Sequence, residues 1–139
     1  MAITPYLLYE DAGAAIGWLK KAFGTRMVGR PMKDADGVVR HAGLALGQHA
    51  LMLGAPGSGY KNPANGGGAT LLLYIDVPDV EHVFDRAVKA GATVVESPRP
   101  TPYGALRCAV ADPEGHQWWF AQPPPKPKKK RKRAARKRR

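Results

Sequence analysis

The sequence predicts an α+β protein made of two β-α-β-β-β modules and a basic tail. The first observation is an internal repeat. Residues 37–42 (GVVRHA) recur as residues 104–109 (GALRCA), and the same offset aligns residues 3–10 with residues 70–77. Only two copies occur, which indicates two halves and not a solenoid. The second observation is that three short strands follow the helix of each half without a helical crossover, so most of them must pair antiparallel.

The second half has the clearer pattern. Apolar side chains alternate along residues 70–77 (TLLLYIDV), which predicts a strand with one strongly apolar face. Asp79 can cap a helix that runs to about Ala90, and Gly91 supplies its stop. The other strands are predicted near residues 93–96, 105–111 and 117–121, with a turn over residues 112–115 (DPEG) between the last two.

The first half repeats this order. Its predicted elements are a strand over residues 3–9, a helix over 12–22 closed by Gly24, and strands near 26–31, 38–46 and 50–53. Residues 55–69 are rich in Gly, Pro, Asn and Ser, which predicts a linker. We therefore expect one domain over residues 1–122 (module one 1–54, linker 55–69, module two 70–122), then a Pro-rich exit and a basic tail over 123–139.

The net charge of +11 belongs to the tail. Eleven of the 22 Lys and Arg residues lie in residues 126–139, which leaves eleven basic residues in the body to balance all eleven acidic ones. Cys108 is the only cysteine, so no disulfide can form within the chain, and a reducing, cytoplasmic location is predicted. No apolar run approaches the roughly 20 residues of a membrane helix, so we expect no membrane partner.

Several motifs carry a family resemblance across residues 1–123. They are Trp18 and Phe23-Gly24 at the end of the first helix, Tyr103-Gly104 followed by Arg107, and residues 112–116 (DPEGH) before an aromatic strand. A doubled β-α-β-β-β module with these motifs resembles the vicinal oxygen chelate superfamily, and most closely its glyoxalase/bleomycin-resistance group. The resemblance implies a cup-shaped mixed sheet of eight strands. It also implies a small organic ligand: many members hold a divalent metal for catalysis, and others bind a drug without one.

The positions that would hold the metal carry no suitable ligand. By resemblance they fall on Leu72 and Thr4 in the first strands, and on Trp119 and a residue near Leu51 in the last strands. A divalent metal needs converging imidazole, carboxylate or thiolate donors. We therefore predict no metal and no cofactor. The alternative is a metal-dependent glyoxalase- or dioxygenase-like enzyme whose site uses unexpected residues such as His41.

Aromatic side chains stand at the inward positions instead. Tyr6 and Tyr74 occupy equivalent places in the two first strands, and Trp119 lies on the last strand. The rings either fill the cup as a solid core or form flat surfaces for a planar ligand, with the Tyr hydroxyls as orienting groups. The second interpretation predicts a ligand pocket.

Polar residues near the pocket leave further alternatives open. His41 is either a ligand-orienting donor or a structural histidine, and the repeat pairs it with Cys108. Arg107, with Tyr103 upstream, either contacts an acidic or carbonyl-bearing ligand or forms a surface ion pair. The predicted ligand-binding residues are Tyr6, His41, Tyr74, Tyr103, Arg107 and Trp119. Strand alternation alone does not decide whether His41 with Cys108, or Arg40 with Arg107, faces the cup. A homodimer is expected, either with its two modules paired within one chain or swapped between chains.

The composition of the tail predicts that it binds nucleic acid or another polyanion without sequence preference. It has no apolar residue beyond Ala134 and Ala135, so it is expected to be disordered, and its cations displace counterions from nucleic acid. The predicted nucleic-acid-binding residues are Lys128, Lys129, Lys130, Arg131, Lys132, Arg133, Arg136, Lys137, Arg138 and Arg139. No aromatic side chain is present there to stack on bases, so sequence selectivity is not expected. The tail could place the protein on a nucleoid, or in the nucleus of a eukaryotic source. A third hypothesis makes the body a scaffold and the tail its functional part.

Overall fold

The computed structural model describes residues 1–124. The predicted basic tail lies outside the described residues. Module one contains β1 (Tyr6–Leu8), α1 (Ala12–Phe23), β2 (Arg26–Lys33), β3 (Val39–Leu46) and β4 (His49–Gly54). Module two contains β5 (Leu73–Asp76), α2 (Val80–Lys89), β6 (Thr93–Pro100), β7 (Leu106–Ala111) and β8 (Gln117–Gln122). The predicted α+β fold with two β-α-β-β-β modules is confirmed.

The eight strands form two four-stranded mixed sheets. Their orders are β1-β4-β3-β2 and β5-β8-β7-β6. In each sheet the first strand runs parallel to the last, whereas the other neighbours are antiparallel. The first strands are shorter than predicted, because β1 and β5 each pair with one neighbour only, over three and four residues. The linker contains a short 3₁₀ turn at Pro63–Asn65 that was not predicted.

Both helices begin at an aspartate cap, of which Asp79 was predicted and Asp11 was not. The Asp11 carboxylate accepts a hydrogen bond from the Ala14 backbone N–H at 3.0 Å, and Asp79 does the same for His82 at 3.1 Å. Helix α1 ends at Gly24, whose φ of 75° is the left-handed conformation typical of a helix stop. No helix among residues 1–124 has the length and apolarity that a membrane crossing needs.

The core joins the two modules through their helices. The Trp18 indole N–H donates to the Ala90 carbonyl at the end of α2, at 2.7 Å. The Phe23 ring lies 4.8 Å from the Trp118 ring and 5.2 Å from the Phe120 ring, between centroids. Because Trp118 and Phe120 are buried on β8, the end of α1 packs into the core of module two.

The predicted 112–115 turn also joins the modules. The buried Asp112 carboxylate accepts hydrogen bonds from the Tyr9 hydroxyl at 2.6 Å and the Trp118 indole N–H at 3.1 Å. The Glu114 carboxylate accepts from the Asp11 backbone N–H at 2.9 Å and from the Asn62 amide at 2.8 Å. Burial, and then the negative charge of Asp112, raise the pKa of Tyr9 far above its ordinary value. The turn thereby fixes the start of α1 and the linker against module two.

The strand register corrects one predicted equivalence. Gly43 pairs with Met52 in sheet one, and Ala109 pairs with Trp119 in sheet two. Counting from these pairs, His41 is equivalent to Arg107, and the predicted pairing of His41 with Cys108 is wrong by one residue. Module one has one more residue than module two between the glycine of the turn (Gly37 or Gly104) and the matched position, and the ladders to β2 and β6 are both irregular in this region.

Candidate functional site

Five of the six predicted ligand-binding residues lie on the sheet faces opposite the helices, and the sixth, Tyr103, lies in the turn before β7. Leu53 and Phe120 point into the core, so their neighbours Met52 and Trp119 point to the other face. Tyr6 is the register partner of Met52, and Tyr74 is the register partner of Trp119, so each tyrosine lies on the same face as its partner. The side chains of Tyr6 and Tyr74 are 48% and 49% exposed. The rings therefore do not form a solid core within residues 1–124.

The register also answers which third-strand residues face the cup. His41 and Arg107 do, one from each module. Cys108 points into the core and is fully buried, and burial raises the pKa of its thiol to about 11. Arg40 lies on the surface and pairs with the Asp34 carboxylate at 2.9 Å. Both predicted alternatives, His41 with Cys108 and Arg40 with Arg107, are therefore wrong as pairs, because the repeat alignment of β3 with β7 is offset by one residue.

The module-one cluster consists of Tyr6, His41, Met52 and Gly54. The Tyr6 hydroxyl and His41 Nδ1 are joined by a hydrogen bond of 2.8 Å, and the two rings lie 5.5 Å apart at 48°. The Tyr6 ring crosses directly over Gly54, since a Cβ built on Gly54 would lie 2.6 Å from Tyr6 Cε1. A glycine at this position is what lets the tyrosine lie flat against the sheet and reach the histidine.

The module-two cluster consists of Tyr74, Glu96, Tyr103, Arg107 and Trp119. The Arg107 guanidinium donates through Nε and Nη2 to the two Glu96 oxygens, at 2.7 and 3.0 Å, and through Nη1 to the Tyr103 hydroxyl oxygen at 3.1 Å. That oxygen lies 3.0 Å from the Tyr74 hydroxyl oxygen. The guanidinium carbon lies 5.0 Å from the centroid of the Trp119 ring, a cation–π contact.

The charges of the module-two cluster shift the acidities of its members. The hydrogen bond from Arg107 lowers the pKa of Glu96. The hydrogen bond with Tyr74, followed by the guanidinium of Arg107, lowers the pKa of Tyr103, and the pKa of Tyr74 is raised first by the same hydrogen bond. Tyr103 therefore ionises before Tyr74.

Glu96 is a member of the module-two cluster that was not predicted from the sequence. The sequence places it in the predicted strand 93–96, but only the β6–β7 register brings it beside Arg107. Its presence supports the ion-pair interpretation of Arg107, and the predicted ligand contact of Arg107 stays a prediction. The guanidinium is in an ion pair, yet it stays on the face of the pocket and contacts Tyr103. It also covers part of the Trp119 ring, which is less open than predicted.

The residues present do not fit a divalent metal. The register places Met52, and not Leu51, on the cup face at the position equivalent to Trp119. With Leu72 and Thr4 at the other two positions, none of the four side chains is an imidazole, carboxylate or thiolate. Throughout the described part of the chain, no group of three or more His, Cys, Asp or Glu side chains converges as metal ligands would.

A separate cleft of about 290 Å³ lies where β1, the linker and the start of β5 meet. The Tyr60 hydroxyl and the His116 Nε2–H both donate to the Leu8 carbonyl, at 2.8 and 2.6 Å. His116 thus supports the wall of this cleft. Its lining includes Tyr6 and Leu72, so the cleft adjoins the base of the module-one cluster.

This doubled β-α-β-β-β architecture defines the vicinal oxygen chelate class of proteins. More narrowly, the model of the glyoxalase/bleomycin resistance protein/dioxygenase superfamily matches residues 3–120, and the chain belongs to that superfamily.

Individual proteins are also similar to this chain over most of its length. The chain is 35% identical to uncharacterized protein Mb0911c of Mycobacterium bovis over 127 residues, which cover 88% of this chain and 83% of the relative. Among solved structures, TioX from Micromonospora sp. ML1 is 33% identical with a TM-score of 0.72, over 88% of this chain and 98% of TioX. The fosfomycin resistance protein FosX from Mesorhizobium loti, at 15% identity and a TM-score of 0.58, covers 88% of this chain and 91% of FosX, and shares the fold.

Proposed function

We propose that the protein binds a small organic molecule without a metal, in the manner of a protein that sequesters a drug. The observation that carries this proposal is the composition of the two clusters. Aromatic rings and hydrogen-bonding groups occupy the cup faces, and apolar or hydroxyl side chains occupy the family's metal positions. Half-exposed aromatic rings with a few converging polar groups are typical of sites for planar ligands.

The proposal is tested by a ligand screen on the purified protein. We expect planar organic compounds to raise the melting temperature, and elemental analysis to find no stoichiometric divalent metal. Each hit is then measured with Trp119→Ala and with His49→Ala, a matched control on β4 whose side chain is outside both clusters. Bound nickel, zinc, iron or manganese at one per chain, together with activity that a chelator removes, would establish the metal-dependent alternative.

We further propose that a homodimer completes the site. Among residues 1–124, the two clusters share no hydrogen bond or ring contact with each other, and the modules meet through their helices and the 112–115 turn. Both cup faces remain exposed, including Met32 at 64% and Val28 at 57% on sheet one. A second copy could set the module-one cluster of one chain against the module-two cluster of the other.

A mixing experiment tests this arrangement. His41→Ala removes one cluster and Trp119→Ala the other, so each variant alone lacks function in every composite site. After joint refolding, mixed dimers contain one intact site, and part of the ligand binding should return. A monomer in light scattering, or no recovery on mixing, would contradict the composite site.

The tail is proposed to bind nucleic acid or another polyanion without sequence preference. This rests on the eleven cations of residues 126–139 and on counterion release. The body also has a basic surface, where residues from α1, β2 and α2 border shared clefts: Lys20, Lys21, Arg26, Arg86 and Lys89. Salt-sensitive binding that survives removal of the tail would locate the polyanion site on this surface instead.

A further inference from the structure

The module-two cluster has hydrogen-bond donors without a partner in the cluster. A guanidinium has five N–H donors, and Arg107 uses three of them on Glu96 and Tyr103. The Tyr103 oxygen already accepts one of these, and it also lies in hydrogen-bond contact with the Tyr74 oxygen. The two tyrosines carry two hydroxyl protons between them, and their mutual contact uses one. Whichever tyrosine donates in that contact, the other proton is free to point outward.

The charge of the cluster decides which kind of ligand oxygen those donors can bind. Glu96 faces Arg107 with both oxygens and also lies 3.7 Å from Arg99, and Asp76 acts on the Tyr74 phenol, so these two anions and two cations leave no net charge around the hydroxyl pair. A ligand carboxylate would place a second full negative charge beside Glu96. A phenolic or enolic oxygen avoids this repulsion, because it can share a proton with Tyr74 and Tyr103, whose acidity is close to its own.

The rings beside these donors favour an aromatic ligand. Tyr74 and Trp119 are register partners on β5 and β8, so their side chains lie next to each other on one face. The Tyr103 and Tyr74 rings are about half exposed, at 56% and 49%. A planar ligand can therefore lie against these rings with its oxygen at the hydroxyl pair.

We propose that the Tyr74–Tyr103 hydroxyl pair and the free N–H groups of Arg107 bind the oxygen of a planar hydroxyaromatic ligand, and that Glu96 excludes aromatic carboxylates. This inference rests on the proposed small-molecule function and names the chemical class of its ligand. It makes Tyr103 a binding residue and Glu96 a residue that determines specificity.

The experiment uses two probes with the same ring, 4-nitrophenol and 4-nitrobenzoate, on the full chain at a mildly acidic pH, where the phenol is neutral and the benzoate is still ionised. We expect 4-nitrophenol to bind at least tenfold more tightly, and Tyr103→Phe to remove most of this preference. Tyr60→Phe is the matched control, since its hydroxyl donates to the Leu8 carbonyl away from the cluster. Glu96→Gln should reverse the preference, because it leaves the Arg107 charge unbalanced.

A measurement without ligand accompanies the binding assay. In an ultraviolet titration of the five tyrosines, one phenolate should form below the ordinary tyrosine pKa in wild type and in Tyr60→Phe, but not in Tyr103→Phe. The absence of this early phenolate from wild type would contradict the hydrogen-bond network. Equal or tighter binding of 4-nitrobenzoate, or no binding of either probe, would overturn the inference. A screened ligand whose affinity falls with Trp119→Ala but not with Tyr103→Phe would keep the proposed function and reject this ligand class.

Discussion

Replacing Gly54 by alanine should break the module-one cluster while leaving the fold intact. The added Cβ would lie 2.6 Å from Tyr6 Cε1 and 2.8 Å from the Tyr6 hydroxyl oxygen, closer than real Cβ atoms approach other heavy atoms. The obstructing atoms belong to a side chain that is 48% exposed, so the ring can swing off the sheet. Its hydrogen bond to His41 is then lost.

The cost follows from two contributions. Losing a hydrogen bond of this kind costs about 1 kcal/mol, and overpacking a fitted contact costs about 1–3 kcal/mol when the neighbours cannot relax fully. Because the Tyr6 ring can move aside, most of the overpacking cost is relieved, and we expect Gly54→Ala to lower the free energy of unfolding by about 1–2 kcal/mol, chiefly through the lost hydrogen bond. Urea denaturation measures this directly, and the NMR signals of the His41 ring report whether the contact to Tyr6 is lost.

Gly43→Ala is the matched control. Gly43 lies on the neighbouring strand, is register partner of Met52, and offers a new Cβ only ordinary contacts, the nearest being 3.5 Å from the Val28 carbonyl oxygen. Glycine to alanine at a compatible position is stabilising by about 0.4–1 kcal/mol. In a Tyr6→Ala background, Gly54→Ala should behave like Gly43→Ala, because the obstructing ring is gone. Equal effects of the two alanines in the wild-type background would refute the packing of Tyr6 on Gly54.

Three further predictions follow from the pocket, the module junction and the tail. Trp119→Ala should weaken binding of the true ligand by about 2 kcal/mol or more while the fold is retained; unchanged affinity in a folded variant would make this ring a packing residue. Tyr9→Phe should cost about 1.5–3 kcal/mol in urea denaturation, since it takes a hydrogen bond from the buried Asp112 carboxylate; a loss below 0.5 kcal/mol, on the order expected of a surface change, would contradict this. Full-chain affinity for duplex DNA or RNA should be micromolar or tighter at low salt. Its log–log slope against salt should be about −10 if all eleven cations engage and about half that for partial engagement. The affinity and its salt dependence should both be largely lost when residues 126–139 are deleted. A strong preference for one base sequence would contradict a nonspecific tail.

The acid dependence of stability gives a fifth prediction. The pKa of Glu96 is lowered in the folded state by its hydrogen bond from Arg107. A carboxyl group with a lowered folded pKa stabilises the fold above its unfolded pKa, near 4.3, and this contribution is lost as the pH falls through the folded pKa. Wild type should therefore lose more stability than Glu96→Gln between about pH 5 and pH 3. Parallel curves for the two proteins would show that the ion pair does not stabilise the fold.

Sequence analysis predicted the fold well because the repeat and the caps are local signals. Gly24 and Asp79 mark helix ends through contacts within a few residues, and the structure places both as predicted, whereas the cap Asp11 gives the same local signal but was not predicted. The first strands were predicted too long, since apolar alternation continues through residues 3–5 and 70–72 although no partner strand extends there. The boundaries of a strand depend on its neighbour, which local pattern does not reveal.

The candidate site was harder to predict for the same reason. Tyr6, Tyr74 and Trp119 were placed on the cup face through the family resemblance, which puts inward-facing positions on their strands, and the structure has all three on that face. The partner of Arg107 depended on the register between β6 and β7, and the equivalent of His41 depended on the registers of β3 on β4 and of β7 on β8. Both involve pairing between strands that a single sequence does not encode locally.

The two modules have kept one geometry and changed its chemistry. In each, a tyrosine of the first strand reaches towards a polar side chain of the third strand: Tyr6 meets His41 directly, whereas Tyr74 meets Arg107 through Tyr103. The imidazole can both donate and accept, while the guanidinium only donates and is balanced by Glu96. A cup made of two module-one faces, or of two module-two faces, would repeat one chemistry. A cup made of one face of each kind offers a ligand an imidazole that can donate or accept on one side and an array of donors on the other. The mixing experiment with His41→Ala and Trp119→Ala therefore examines the site as well as the assembly.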